Sequence, residues 1–215
     1  MLYRLTACLA AFALLFATGG FAYAQTPGVA PVFLYENYAF GMKRSVVASI
    51  PFVGPCENMD PNQVLCSENA FYIGLKWSRL FFFEKEQLTS VVLYSESIQD
   101  HFDAAIKNLE ERGFALVAMT NGKDKTFDLV KEAKGKSAQE LKSAMEKFED
   151  EAIASARIMY TYFDNASKPK NLGAKPGWSA WADAAPDSLQ MAQVELSVPN
   201  YIRITFSAPK MQLAP

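Results

Sequence analysis

The stretch from Phe71 to Tyr94 constrains the fold of this chain more than any other. Phe71, Ile73, Leu75 and Trp77 alternate with Tyr72, Gly74 and Lys76, and Arg79 to Phe83 holds Leu80 and three consecutive phenylalanines. The polar run Glu84-Lys85-Glu86-Gln87 follows, and Leu88 to Tyr94 is apolar-rich again. Successive side chains of a strand point to opposite faces, so period-two alternation broken by a short polar turn predicts an antiparallel meander. Three phenylalanines in a row place at least one on the sheet's second face. That face must be covered by a helix, another sheet or a partner.

The flanking sequence supplies the helices. Val46, Val47 and Ile50 fall at helical spacing in Lys43–Ile50, and Pro51 ends that helix. Ser97 caps a second helix with Asp100 three residues on; Ile98, Phe102, Ala105, Ile106 and Leu109 trace its apolar face, and Gly113 stops it. Phe114–Met119 reads as a strand and Asn121-Gly122 as a turn. Residues 123–155 are charged and helical. Asp124 and Gly135 bracket a short helix containing Phe127, Val130 and Ala133, and the capping box Ser137-Ala138-Gln139-Glu140 opens a longer one. Ile158–Phe163 alternates as a strand, Asn165–Ser188 is a long loop carrying Trp178 and Trp181, and Val194–Val198 and Ile202–Phe206 form a hairpin around Pro199-Asn200.

The fold class is therefore α+β, antiparallel sheet packed against helices, with a charged helical insertion near 123–155. Lys43–Tyr94 and Ser97–Phe206 each read as helix then three strands. This suggests two αβββ units, 25–95 and 96–215, either separate or fused into one domain.

Residues 1–24 form a targeting signal. Arg4 is their single charge, the run Leu5–Ala17 is apolar apart from Thr6 and Cys8, and Ala22-Tyr23-Ala24 precedes Gln25. A basic start, a short apolar core and an A-x-A ending define a secretory signal peptide, with cleavage after Ala24. Leu5-Thr6-Ala7-Cys8 imitates a lipobox, but only seven residues precede Cys8, too few for an apolar core. An uncleaved anchor is argued against by the paired glycines and the cleavage site. Cleavage moves the net charge from -2 to -3 and leaves Cys56 and Cys66, an even count that reads as a disulfide in an exported chain. The expected compartment is the periplasm or the exterior, with no stable membrane span after cleavage.

Gly41-Met42 followed by Val46 at the start of a short helix, then a meander, is similar to small envelope modules of the outer-membrane-assembly lipoprotein type. The tandem form with a cysteine bridge between helix and sheet resembles β-lactamase-inhibitor-type proteins. The likeness covers Phe40–Tyr94 best and the second half in outline. This chain departs from it in lacking a lipobox at the mature start and in carrying the helical insertion. The resemblance implies a protein-binding, non-catalytic envelope module.

Few residues offer chemistry. The near-neutral charge gives no reason to expect nucleic acid as partner. His101 is the only histidine, lies at the edge of its helix's apolar stripe and is expected to be a solvated surface residue, with no nucleophile motif to join it. Glu84/Glu86 and Glu149/Asp150/Glu151 fall where carboxylates stay in water. Glu57, Asn58, Asp60 and Asn62 offer oxygen ligands but lack EF-hand spacing. No cofactor motif is present. The aromatics remain: Phe81 and Phe83 on the exposed sheet face, with Trp178 and Trp181 in the loop, are the expected contact residues. The sequence thus points to an exported, non-enzymatic binding protein whose partner is another envelope protein. A hydrolase with an unrecognised site and a carrier of a small apolar ligand are the alternatives.

Overall fold

The computed structural model describes residues 30–96, 98–172 and 176–213. The predicted signal peptide and the predicted Ser97 cap lie outside them. In chain order the elements are β1 (Phe33–Tyr35), β2 (Tyr38–Ala39), α1 (Arg44–Ala48), β3 (Gly54–Pro55), β4 (Val64–Tyr72), β5 (Leu75–Glu84), β6 (Gln87–Ser95), α2 (Gln99–Glu111), β7 (Phe114–Asn121), β8 (Thr126–Asp128), α3 (Leu129–Glu132), α4 (Ala138–Ile153), β9 (Arg157–Asp164), α5 (Trp178–Ala184), β10 (Met191–Ser197) and β11 (Tyr201–Ser207). A single 3-10 turn, Asn165–Ser167, follows β9.

The α+β class holds. One nine-stranded sheet runs in the order β3-β4-β5-β6-β11-β10-β9-β7-β8, every neighbour antiparallel. Its centre is two meanders, β4-β5-β6 and β9-β10-β11, set head to head. Their third strands pair, with Val92 opposite Thr205 and Leu93 opposite Ile204. The two meanders are thus joined edge to edge in a continuous sheet. The place equivalent to β9 is taken by β4.

The predicted strand Phe71–Trp77 is corrected. It is a hairpin turn at Ile73-Gly74 with both residues at positive φ, 51° and 77°, and Tyr72 pairs with Leu75 across it. Two further corrections apply. Residues 126–128 form β8, registered on β7 with Phe127 opposite Met119, so the predicted helix shrinks to Leu129–Glu132. Asn165–Ser188 contains α5, so the two tryptophans sit on a helix.

One face of the sheet carries the main core. Phe81, Val91, Phe206 and Ala192 lie in one cross-strand row, and Leu93, Ile204, Val194 and Tyr160 in the next. The β1-β2 hairpin and helices α1, α2 and α4 cover this face with Tyr35, Val47, Ala105, Leu109, Phe148 and Ala152. Burial of a large side chain such as Val47, Leu109 or Phe148 contributes roughly 1.5–3 kcal/mol. Arg79 is buried among them. It donates to the Tyr38 hydroxyl at 2.9 Å, approaches Glu36 at 3.6 Å and lies 5.1 Å from the Tyr35 ring. Burial pushes the Tyr35 hydroxyl well above its ordinary range, with Glu36 adding to the effect.

The capping box of α4 is present, with Ser137 and Glu140 bonded reciprocally. Cys56 and Cys66 form a disulfide with their Cα atoms 5.1 Å apart. It fits folding under oxidising conditions. Within the loop it closes, Asp60 accepts the Asn62 N–H at 2.9 Å, so this carboxylate serves a local turn. No helix among the described residues is long and apolar enough to cross a membrane.

Candidate functional site

Among the described residues, the sheet's second face is covered at one end only. There Val117, Phe163, Trp181, Ala185 and Leu189 form a small second core beneath α5. The α5 N-terminus is held by Asp128, which caps α3 through Lys131 N–H at 3.0 Å and accepts Trp178 N–H at 3.1 Å. A Cβ at Gly177 would lie 2.7 Å from the Asp128 carboxylate, so any larger residue must push that carboxylate aside from its bonds to the two helices. Lys210 Nζ donates to the Asp183 carbonyl at 3.0 Å, tying the other end of α5 to the C-terminal tail.

This arrangement buries three of the four expected contact residues, Trp181, Phe81 and Phe83. Trp181 is only 3% exposed, and its ring meets Phe163 edge-on at 6.0 Å. Trp178 is half-buried, 6.3 Å from the same ring. Phe81 and Phe83 are buried on the main-core face; strand parity sends Phe82, not its neighbours, to the second face. The reason is ordinary: apolar rings on a sheet this size are consumed by its own core.

His101 is also corrected, from solvated to buried. It is 7% exposed, its ring packs edge-on to Trp77 at 4.6 Å, and Nε2 lies 3.0 Å from the Lys76 carbonyl. A carbonyl can only accept, so Nε2–H donates. The buried residues of α2 are His101, Ala105 and Leu109, spaced four apart, so His101 lies on the buried stripe itself. Its role is to anchor α2 on the start of β5.

The open part of the second face is polar, and at its centre sits Glu195, only 3% exposed. Cross-strand pairing sets Tyr94, Arg203 and Glu195 in one row and Tyr201, Ser197 and Arg157 in the next. Glu195 accepts from Arg157 Nε at 3.1 Å, from the Tyr201 hydroxyl at 3.1 Å and from Arg203. The Arg157 and Arg203 side chains remain 48% and 43% exposed. The rings of Tyr94 and Tyr201 lie 5.5 Å apart beside them. One carboxylate thus fixes two guanidinium groups and a phenol, and the cluster carries a net positive charge on an otherwise acidic chain. The sequence hides it because Arg157, Glu195 and Arg203 come from three strands and resemble ordinary outward-facing polar positions.

Several clefts open on the surface of the described residues. An open trough of about 730 Å³ at the end of β5 and β6 runs between Asp60 and Asn62 of the cysteine loop and Phe82, Thr89 and Ser90. Another of about 400 Å³ lies between β8, α3 and α4. Two of its four lysines are met by its own acids, Lys125 by Glu151 at 3.1 Å and Lys136 by Glu132. On the core side of α4, Glu149 hydrogen-bonds Tyr160 and its carboxyl is held above the ordinary range by burial. Groups of three or more acidic, histidine or cysteine ligands that could hold a metal ion are absent among the described residues.

No protein-family model, curated protein or solved structure matches this chain. The functional reading therefore stands on the geometry of the sheet face.

Proposed function

We propose that this is an exported, envelope-associated protein that acts by binding another protein through the open second face of its sheet. The observation that carries this reading is the Glu195 cluster. Arginine and tyrosine are the residue types that dominate binding energy at protein interfaces, and they do so best when held in place beforehand. Here Glu195 holds Arg157 through Nε and Arg203 through Nη2, while both side chains stay nearly half exposed. A planar guanidinium with spare donors suits a carboxylate. The partner therefore presents an acidic side chain to this patch, flanked by apolar surface for Tyr94 and Tyr201. The signal peptide read from the sequence and the disulfide support the compartment.

Replacing Arg157 and Arg203 together with glutamate tests the reading. A bound partner, recovered by crosslinking from the native envelope, should lose at least tenfold in affinity, about 1.4 kcal/mol, while the circular dichroism of the variant stays unchanged. Undiminished binding by a folded double variant rejects this face as the contact surface.

A further inference from the structure

We infer that the free edge of β4 is a second, independent interaction surface, and that its occupant is another copy of this chain. β3 covers β4 only at Leu65 and Cys66. From Ser67 to Tyr72, β4 has β5 on one side and, among the described residues, no strand on the other. An unpaired edge is a template for adding a strand.

The turn at Ile73-Gly74 fixes which backbone groups are available. In a two-residue hairpin the flanking pair, here Tyr72 and Leu75, point their N–H and C=O groups at each other. By alternation Phe71 directs its own N–H and C=O away from β5, to the open edge. Its ring is 69% exposed. Phe71 thus presents both an unpaired backbone donor and acceptor and an uncovered aromatic ring.

A two-fold axis through Phe71 satisfies both features. Each copy's Phe71 would exchange two N–H···O=C bonds with its counterpart, bringing the rings side by side as a cross-strand aromatic pair. Residues 70–75 carry no charge, so the two edges meet without like-charge repulsion. The bulge between Ser67 and Ala70 limits the ladder to its end near the turn, so the association is reversible and depends on concentration. Phe52 extends the apolar edge. It is 91% exposed and lies two residues before Gly54, whose partner Cys66 immediately precedes the free stretch.

Sedimentation equilibrium of the purified protein from low micromolar to submillimolar concentration tests this. The expected result is a monomer–dimer equilibrium that Phe71→Pro abolishes, since proline removes the outward N–H and is tolerated at an edge. Phe71→Ala should weaken it less. Independently, Phe71→Cys should crosslink to a symmetric dimer under mild oxidation, and Ser143→Cys on exposed α4 should not. A monomer at every concentration overturns the inference. So does a dimer that persists in folded Phe71→Pro, or Phe71→Cys crosslinking no faster than Ser143→Cys. Should Phe71→Pro fail to fold, the cysteine pair decides. Failure here leaves the Arg157/Arg203 face untouched, because neither variant alters it.

Discussion

Arg157 Nε donates to Glu195 Oε1 at 3.1 Å from the neighbouring strand, on the part of the sheet's second face that α5 leaves uncovered. The carboxylate is buried while the guanidinium is half in water. Such a pair orients the arginine more than it stabilises the fold, because a buried carboxylate gives back in desolvation much of what its ion pairs supply. Removing the carboxylate alone, however, breaks three hydrogen bonds at once. Glu195→Ala should lower unfolding free energy by ~2–4 kcal/mol in urea titration. It should also weaken partner binding, since both arginines lose their fixed orientation. A change within ~0.5 kcal/mol would show that the cluster is loosely held and not preorganised.

Glu149 makes the fold sensitive to pH. Burial raises its carboxyl, the nearby Glu146 and Asp150 add to this, and the hydrogen bond from Tyr160 works the other way. The folded chain therefore keeps the proton where the unfolded chain has released it. That contribution is present below the unfolded carboxyl's value and is lost as pH rises through the folded one. Glu149→Gln should melt above the wild type at neutral pH, with the gap narrowing towards about pH 4. Melting curves that stay parallel across that range would refute the assignment.

Phe52 stands where glycine belongs. Val53 N–H closes a turn onto the Ile50 carbonyl at 3.2 Å with Pro51 second and Phe52 third, and Phe52 has φ 67°. A third position at positive φ is the type II pattern, which favours glycine. The ring is exposed, so it has no packing to lose. Phe52→Gly should raise stability by up to about 1 kcal/mol in denaturant titration. A loss of stability would mean that the ring is packed in solution.

The disulfide joins residues ten apart in sequence. In the chain-entropy view a loop of this length stabilises by roughly 2.5–3 kcal/mol, less any strain. The double variant Cys56→Ala/Cys66→Ala should unfold at correspondingly lower urea and become indifferent to reductant. Equal midpoints with and without reductant in the wild type would show that the bridge contributes nothing.

Much of the fold was legible in the sequence wherever one period persisted. The apolar stripe of α2, the capping box of α4 and the β10-β11 hairpin follow from spacing alone. The first meander was harder because apolar alternation passes through the Ile73-Gly74 turn without a break. Phe71 imitates a core position there, although the turn puts it on the face opposite Trp77. Ile73 also hides the turn, since a β-branched residue at positive φ is not a turn signal. Helix α5 was missed because Trp178, Trp181 and Ala185 share one helical face inside a stretch of small and proline-rich sequence. The Glu195 cluster was invisible for a different reason: strand register, not sequence proximity, brings its members together.

The central claim is that the open sheet face around Glu195 is where a partner docks. Site-specific photocrosslinking at Tyr201 in cells producing the full chain tests it most directly. A benzophenone side chain at Tyr201 should give one discrete adduct that disappears when Arg157 and Arg203 are both glutamate, while the same group at Lys142 on exposed α4 gives none. No adduct at Tyr201, or one that survives the double substitution, would contradict the account.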